Sequence, residues 1–271
     1  MLVKTLRKTT LMTAAFAAIA AFAATVAFAA SIAISSAALA AERPPCAVPD
    51  YLLFGDSQLS RVSAAITSQR QLTIVVIGTG SSALAGPDGP PTAYPARLEA
   101  ALTSRLSGIP VKVVPLVRSR QTADVLSRGM GKLMTDEKPD LVIWQAGTFD
   151  AIRRMDFDSF RSSLEQGIDT IQRRGADVIL MNMQYSPRTE SMISTGPYAD
   201  VMRVVAQHRS VPLYDRLGIM RHWSDVGAFD FYAAGKDNIL AQRVHNCIGR
   251  TIAALIIDAG RLQLFELKTG Q

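Results

Sequence analysis

The sequence has little charge and little cysteine: 19% of its 271 residues are Asp, Glu, Lys or Arg, and two are Cys. No run of Lys and Arg with interleaved aromatic residues occurs, so we expect no nucleic-acid partner. No spacing of Cys and His matches a metal site, and we expect neither a metal nor a cofactor. Apolar residues make up 48% of the chain, which excludes an intrinsically disordered or collagen-like protein.

The first forty residues have the composition of a targeting segment. Lys4, Arg7 and Lys8 form a basic start, residues 11–40 are uncharged and rich in Ala, and Ala38-Leu39-Ala40 fits the small-residue rule for signal peptidase. We therefore expect residues 1–40 to be a signal peptide and the protein to be periplasmic or secreted. A segment of this length is also able to cross a bilayer, so an uncleaved N-terminal membrane anchor is the alternative.

Both cysteines, Cys46 and Cys247, remain after cleavage. An oxidising compartment would preserve a disulfide between them, which would tie the mature N-terminus to the last helix. The alternative is a buried thiol at Cys247 and an exposed thiol at Cys46. The sequence leaves both open, because it does not give the distance between the two Cα atoms.

Over residues 41–271, apolar β-branched segments alternate with segments of helical periodicity. Strands are predicted at 72–77, 111–117, 141–145, 178–183 and 211–214. Helices are predicted at 58–70, 94–107, 122–134, 157–174, 198–209 and 238–262. This alternation is typical of a parallel sheet covered on both faces. We therefore predict one three-layer α/β/α domain with a five-stranded parallel sheet.

Four of the predicted strand ends carry polar or Gly-rich sequence. They are Gly78–Ser82, Val117–Thr122, Ala146–Asp150 and Gln184–Pro187. Ligands of such folds bind at the carboxyl ends of the strands, so this convergence predicts a functional site. The other interpretation is that any strand-to-helix turn needs such residues.

These four ends, in this order, resemble the SGNH/GDSL hydrolase family, which has a flavodoxin-like fold. The family places a nucleophilic Ser in a Gly-Asp-Ser-type turn after the first strand. Gly80-Ser81-Ser82-Ala83-Leu84-Ala85-Gly86 keeps the shape Gly-x-Ser-x-x-x-Gly, and Ser82 then matches the nucleophile. Ser81 is the first alternative. Ser57, in the literal Gly55-Asp56-Ser57, is the second, although that tripeptide also suits a helix entry.

The next two family motifs supply hydrogen-bond donors to an oxyanion, and both are altered here. Arg120 occupies the position of the family's Gly, where it still offers a backbone N–H and could also contact an acidic group. Phe149, in Gly147-Thr148-Phe149-Asp150, replaces an Asn, and losing such a donor costs about 10²–10³ in rate. Gln184 follows the fourth strand and could reach the same space.

The family's Asp-x-x-His pair is the least well matched motif. His245 is our candidate for the general base, oriented by Asp237, and His222 is the second candidate. An alignment on the last helix instead places Lys236-Asp237-Asn238-Ile239 over the pair and leaves no His. A Ser without a positioned base is a poor nucleophile at neutral pH.

The resemblance implies an exported serine esterase that hydrolyses carboxylic esters through an acyl-Ser82 intermediate. Small acyl groups on carbohydrate or envelope material are the implied substrates, so the partner would be a small-molecule or glycan ester. The three altered motifs support an alternative function, which is a catalytically impaired protein of the same fold that binds an anionic or sugar ligand.

Overall fold

The computed structural model describes residues 46–233 and 238–261 of the chain. Five strands lie in these residues: β1 (Leu72–Gly78), β2 (Val111–Val117), β3 (Leu141–Gln145), β4 (Asp177–Met181) and β5 (Leu213–Tyr214). They form one parallel sheet in the order β2-β1-β3-β4-β5. This order is that of flavodoxin-like folds, and the predicted five-stranded parallel sheet is confirmed.

The burial of each strand follows from its place in the sheet. The central strands β1, β3 and β4 are almost wholly buried, as their continuous apolar sequences require. The strand β2 lies at the edge and is half-exposed, which explains why it tolerates Pro115 without interruption. The strand β5 pairs with β4 over Leu213 and Tyr214 alone, so it is shorter than predicted.

The helices of the described residues cover both faces of the sheet. Helices Ala123–Glu137 and Gly196–His208 pack on helix Phe157–Arg173, and helix Tyr94–Arg105 packs on helix Ile239–Ala259. A right-handed crossover from β1 to β2 runs opposite to the later crossovers and so places helix Tyr94–Arg105 on the other face. The helices are α1 (Asp50–Leu53), α2 (Ser60–Thr67), α3 (Gly89–Thr92), α4 (Tyr94–Arg105), α5 (Ala123–Glu137), α6 (Thr148–Ile152), α7 (Phe157–Arg173), α8 (Pro187–Glu190), α9 (Gly196–His208), α10 (Arg216–Asp225) and α11 (Ile239–Ala259).

A disulfide joins Cys46 to Cys247, with 5.0 Å between their Cα atoms. It links the start of the described chain to α11. The indole of Trp223 donates to the carbonyl of Ala47 at 3.0 Å and holds the same segment. In the part of the chain that the structure describes, no helix is long and apolar enough to cross a bilayer. The predicted targeting segment, residues 1–40, lies outside the described residues.

Candidate ligand site

The turn after β1 holds two adjacent serines in different environments. A 3₁₀ turn spans Gly80–Ser82, and the Thr79 side chain accepts from the backbone N–H of Ser81. Residue 78 has to be Gly, because a Cβ there would lie 2.2 Å from Ser82 Oγ. The turn thereby folds Ser82 back against β1 and leaves Ser81 at a cavity.

Ser82 is buried, with an exposed fraction of 3%. Its Oγ donates to Gln145 Oε1 at 2.6 Å and accepts from the Tyr94 hydroxyl at 3.2 Å and from the N–H of Thr79 at 3.1 Å. A hydroxyl has one proton and two lone pairs, so its capacity is used in full. The Ser82 hydroxyl, which the resemblance matches to the nucleophile, therefore does not face a cavity, although β1 is an inner strand of the sheet.

Gln145, the last residue of β3, connects both serines to the sheet. It is 0% exposed. Its Nε2 donates to Ser81 Oγ at 3.0 Å and to Thr79 Oγ1 at 3.1 Å, while its Oε1 accepts from Ser82. The side chain thus fixes the turn after β1 on the end of β3, at the point where the strand order reverses. Crevices at such points are the usual ligand sites of this architecture.

Arg216, the first residue of α10, is a fully buried cation behind the same turn. Its guanidinium donates to Ser81 Oγ and the Ser81 carbonyl at 3.1 Å, to Gln184 Oε1 at 3.0 Å and to Gln145 Oε1 at 3.4 Å. Its Nε has no hydrogen-bond partner among the residues that the structure describes. Burial lowers the pKa of Arg216, but a guanidinium stays protonated at neutral pH.

All of the acceptors around Arg216 are neutral. None of the ion pairs formed by the described residues includes it. The neighbouring carboxylate, Asp215, instead accepts from Asn182 and Arg203 and caps the start of α10. A positive charge thus lies at the strand ends without a compensating negative charge among the described residues.

A cavity of about 380 Å³ lies over these groups, a volume within the range of small-molecule sites. Its lining is rich in hydroxyl groups, includes one exposed cation, and contains no Asp or Glu from the described residues. The lining residues are Thr79, Gly80, Ser81, Ser119, Arg120, Thr148, Phe149, Ile152, Gln184 and Thr189. Three of the residues predicted to contact a ligand, Arg120, Phe149 and Gln184, are therefore brought together.

Arg120 has a backbone conformation that Gly adopts more readily than Arg. Its φ is +61°, in the left-handed region that favours Gly and is uncommon for other residues. The side chain is exposed at the cavity. Phe149 offers no donor, and the guanidinium of Arg153 lies 5.4 Å from the centre of its ring.

His245 does not have the environment of a general base. It lies on α11, is 4% exposed, and its Nδ1 accepts from the backbone N–H of Tyr94 at 3.0 Å. A neutral imidazole that accepts at Nδ1 carries its proton on Nε2, so no lone pair is left to take the proton of a serine. Burial, followed by the positive charge of Arg216, lowers the pKa of His245 to about 3. The expected pairing of Ser82 with His245 is therefore not formed.

The remaining candidates lie elsewhere. Asp237 lies outside the described residues. His222 lies in the last turn of α10 and is not among the cavity lining, and Ser57 lines a different cavity, beside Arg203 and Leu213. Sequence reasoning missed Gln145 and Arg216. The available signals were a lone amide at the end of an apolar strand and an Asp-Arg pair directly after the fifth strand.

The sheet order, the turn after β1 and the strand-end cavity define an SGNH-type α/β hydrolase fold. The chain belongs to the non-GDSL lipase-like family, whose model matches residues 45–262. The predicted SGNH/GDSL resemblance is thereby confirmed. A comparison with curated protein sequences gave no significant match.

Several solved structures with the same fold are esterases or lipases. A lipase/acylhydrolase from Enterococcus faecalis is 22% identical, with a TM-score of 0.55 over 72% of this chain and 98% of that one. A catalytic mutant of Axe2, an acetylxylan esterase from Geobacillus stearothermophilus, is 18% identical, with a TM-score of 0.55 over 68% and 94%. The psychrotrophic esterase EstA from Pseudoalteromonas sp. is 16% identical, with a TM-score of 0.53 over 69% and 97%. At these identities the likeness establishes the fold.

Proposed function

We propose that this chain is an exported, catalytically impaired member of its hydrolase family that binds an anionic ligand at the strand ends. The observation that carries the proposal is the fully buried guanidinium of Arg216, which has neutral hydrogen-bond acceptors and no carboxylate partner among the described residues. An unpaired buried charge costs several kcal/mol. An anion in the cavity would offset that cost.

The groups between Arg216 and the cavity suit an anion. Ser81 Oγ accepts from Arg216 and Gln145, so its own proton is left to donate to Thr79 or to a ligand. Ser119, Thr148 and the exposed guanidinium of Arg120 line the same space. The donors converge on a cavity whose described lining has no negative charge.

The same geometry argues against acyl transfer at Ser82. The hydroxyl is buried and fully hydrogen-bonded, and His245 has no lone pair directed at it. Phe149 replaces the family's oxyanion donor. Each change weakens a different part of the reaction: the nucleophile, the base and the stabilisation of the oxyanion.

Binding of inorganic phosphate and of acetate tests the proposal. In a buffer without competing anions, we expect either ion to raise the melting temperature of the purified protein, because a ligand that binds only the folded state stabilises it. Arg216→Met should weaken binding at least tenfold, and Arg120→Gln less. Arg105→Gln removes an exposed cation on α4 and is the matched control. Equal binding by Arg105→Gln and Arg216→Met would contradict the proposal.

Ester hydrolysis is the second candidate, because the family and the solved relatives are hydrolases and because Ser81 presents a polarised hydroxyl to the cavity. Turnover of p-nitrophenyl acetate and labelling by a fluorophosphonate probe test it, with Ser81→Ala and Ser82→Ala compared in parallel. We expect neither turnover nor labelling. Activity that is lost in Ser82→Ala would restore the acyl-Ser82 mechanism, and activity lost in Ser81→Ala would assign the reaction to Ser81.

Export is supported by the disulfide, since such bridges persist in oxidising compartments. Fractionation of cells that produce the full chain, followed by N-terminal sequencing, tests this part. We expect the protein outside the cytoplasm with Ala41 as its first residue. Recovery of the intact chain in the membrane fraction would favour the uncleaved anchor.

A further inference from the structure

The turn between β2 and α5 contains an arginine in an unusual backbone conformation. Arg120 is one of six non-glycine residues with a positive φ in the part of the chain that the structure describes. The other five lie within two residues after the end of a helix, where a left-handed residue is a common way to end the helix. Those five are Gln69, Lys138, Arg154, Ser210 and Arg261. Arg120 ends no helix, and Gly would fill its turn with less strain, so the presence of Arg indicates a use for its side chain.

The Arg120 side chain is available to a ligand. It is exposed, and none of the ion pairs or side-chain hydrogen bonds formed by the described residues includes it. It lines the strand-end cavity beside Ser119 and Phe149. The cavity therefore has a second uncompensated positive charge in addition to that of the buried Arg216.

The two cations reach the cavity from different strands. Arg120 follows β2, at the edge of the sheet. Arg216 instead donates to Ser81, Gln145 and Gln184, which lie at or just after the ends of β1, β3 and β4. Neighbouring strands are about 4.8 Å apart, so the end of β2 lies about 10 Å from the end of β3, the middle of those three strands. The two positive charges therefore act on separate parts of the cavity.

We propose that the ligand of this cavity carries two acidic groups a few bonds apart, as a short dicarboxylate or a diphosphate does. One acidic group lies against Ser81, where the charge of Arg216 acts, and the other lies against the guanidinium of Arg120. This inference rests on the proposed anion binding and names its ligand class. A ligand with one acidic group would leave one of the two cations without a counter-charge. The cavity volume of about 380 Å³ accommodates a small molecule of this kind.

Titration calorimetry with acetate, malonate, succinate, glutarate and adipate, at one pH and one ionic strength, tests the inference. Monomethyl succinate has the size of a diacid and a single charge, so it is the control ligand. We expect the best diacid to bind at least tenfold more tightly than acetate and monomethyl succinate. Phosphate and pyrophosphate give the same comparison for phosphoryl groups, and the pair with the larger difference identifies the preferred acid.

The possible failures of the two proposals differ. If acetate or phosphate binds but no ligand with two acidic groups binds more tightly than its counterpart with one, the inference is overturned and anion binding stands. An absence of binding by every compound would refute the proposed function as well.

Two arginines of the same turn provide a matched pair of variants. Arg120→Gly removes the second cation and keeps the turn, because Gly adopts a positive φ without strain. It should weaken binding of the best diacid at least tenfold and leave acetate binding within threefold. Arg118→Gln removes another exposed cation, which lines a different cavity, and should change neither. Equal weakening of acetate and diacid by Arg120→Gly, or equal effects of the two variants on the diacid, would overturn the placement of the second acidic group.

Discussion

At the scale of single residues, Gln145 and Arg216 organise the site by joining chain segments that are far apart in sequence. Gln145 joins the ends of β1 and β3, and Arg216 joins the turn after β1 to Gln184 and to α10. Neither residue has a distinctive local motif. Their importance comes from burial and from partners up to 135 positions away, so it becomes apparent only in the folded chain.

The protonation of His245 gives a prediction at this scale. The pKa of His245 falls from 6.5 to about 3 on folding, so between these values the unfolded state binds the additional proton. Stability is therefore fully present above pH 6.5 and is lost as the pH falls towards 3. The full contribution is about 5 kcal/mol, since each pKa unit corresponds to about 1.4 kcal/mol. Urea unfolding between pH 4 and 7 measures this slope.

His245→Asn removes the titrating group while its amide oxygen is able to accept from the N–H of Tyr94. We expect the slope of unfolding free energy against pH to decrease clearly in this variant. His208→Gln is the control, because the His208 side chain is 80% exposed. A pH dependence that is unchanged in His245→Asn would mean that another group causes acid unfolding.

At the scale of elements, the sequence predicted all five strands and the helices α2, α4, α5, α7, α9 and α11, and it missed α10 and the helices of four or five residues. Strand β3 was predicted with its observed ends, because a continuous apolar run between polar turns allows few alternatives. Helix α10 was missed, although its apolar residues, Leu217, Ile219, Met220 and Trp223, recur at the three- and four-residue spacing of a helix. Arg216 is the first residue of α10. Because the helix was not predicted, no feature of the sequence placed Arg216 at the site.

Asp150 connects two elements at the site and gives a prediction at this scale. Its carboxylate accepts from the N–H of Ala123, at the start of α5, at 2.7 Å and from the N–H of Gly147, before α6, at 3.1 Å. Asp150→Ala would leave two buried N–H groups without partners, each at a cost of about 1–3 kcal/mol. We expect a lower free energy of unfolding in urea. Asp158→Ala is the control, because the Asp158 side chain is 86% exposed, and it should change stability by less than about 0.5 kcal/mol. Equal stability of the two variants would contradict the connecting role.

At the scale of the whole molecule, the chain keeps the fold of its family, while several residues at the strand ends differ from the family's motifs. The family match extends over residues 45–262, and the sheet keeps its order. At the positions that resemble the family's catalytic motifs, Arg120 and Phe149 stand where the family has Gly and Asn. Ser82 keeps the residue type of the nucleophile, but it is buried. The resemblance could predict the place of the site, because the sheet determines where strand ends meet. It could not predict the direction in which Ser82 points, because that depends on Gly78, Tyr94 and Gln145 together.

The disulfide gives the prediction for the whole chain. Cys46 and Cys247 are 201 positions apart, so the bridge closes nearly the entire described domain and restricts the unfolded state more than a short loop would. Replacing both cysteines, Cys46→Ser with Cys247→Ser, should lower the free energy of unfolding by about 2–5 kcal/mol while the fold is retained. Urea unfolding with and without dithiothreitol measures the effect: the reductant should bring the wild type to the stability of the double variant and leave the variant unchanged. The contrary result would be a wild-type protein that releases two thiols in dithiothreitol but keeps its stability. In that case the large core, rather than the bridge, would hold the N-terminal segment against α11.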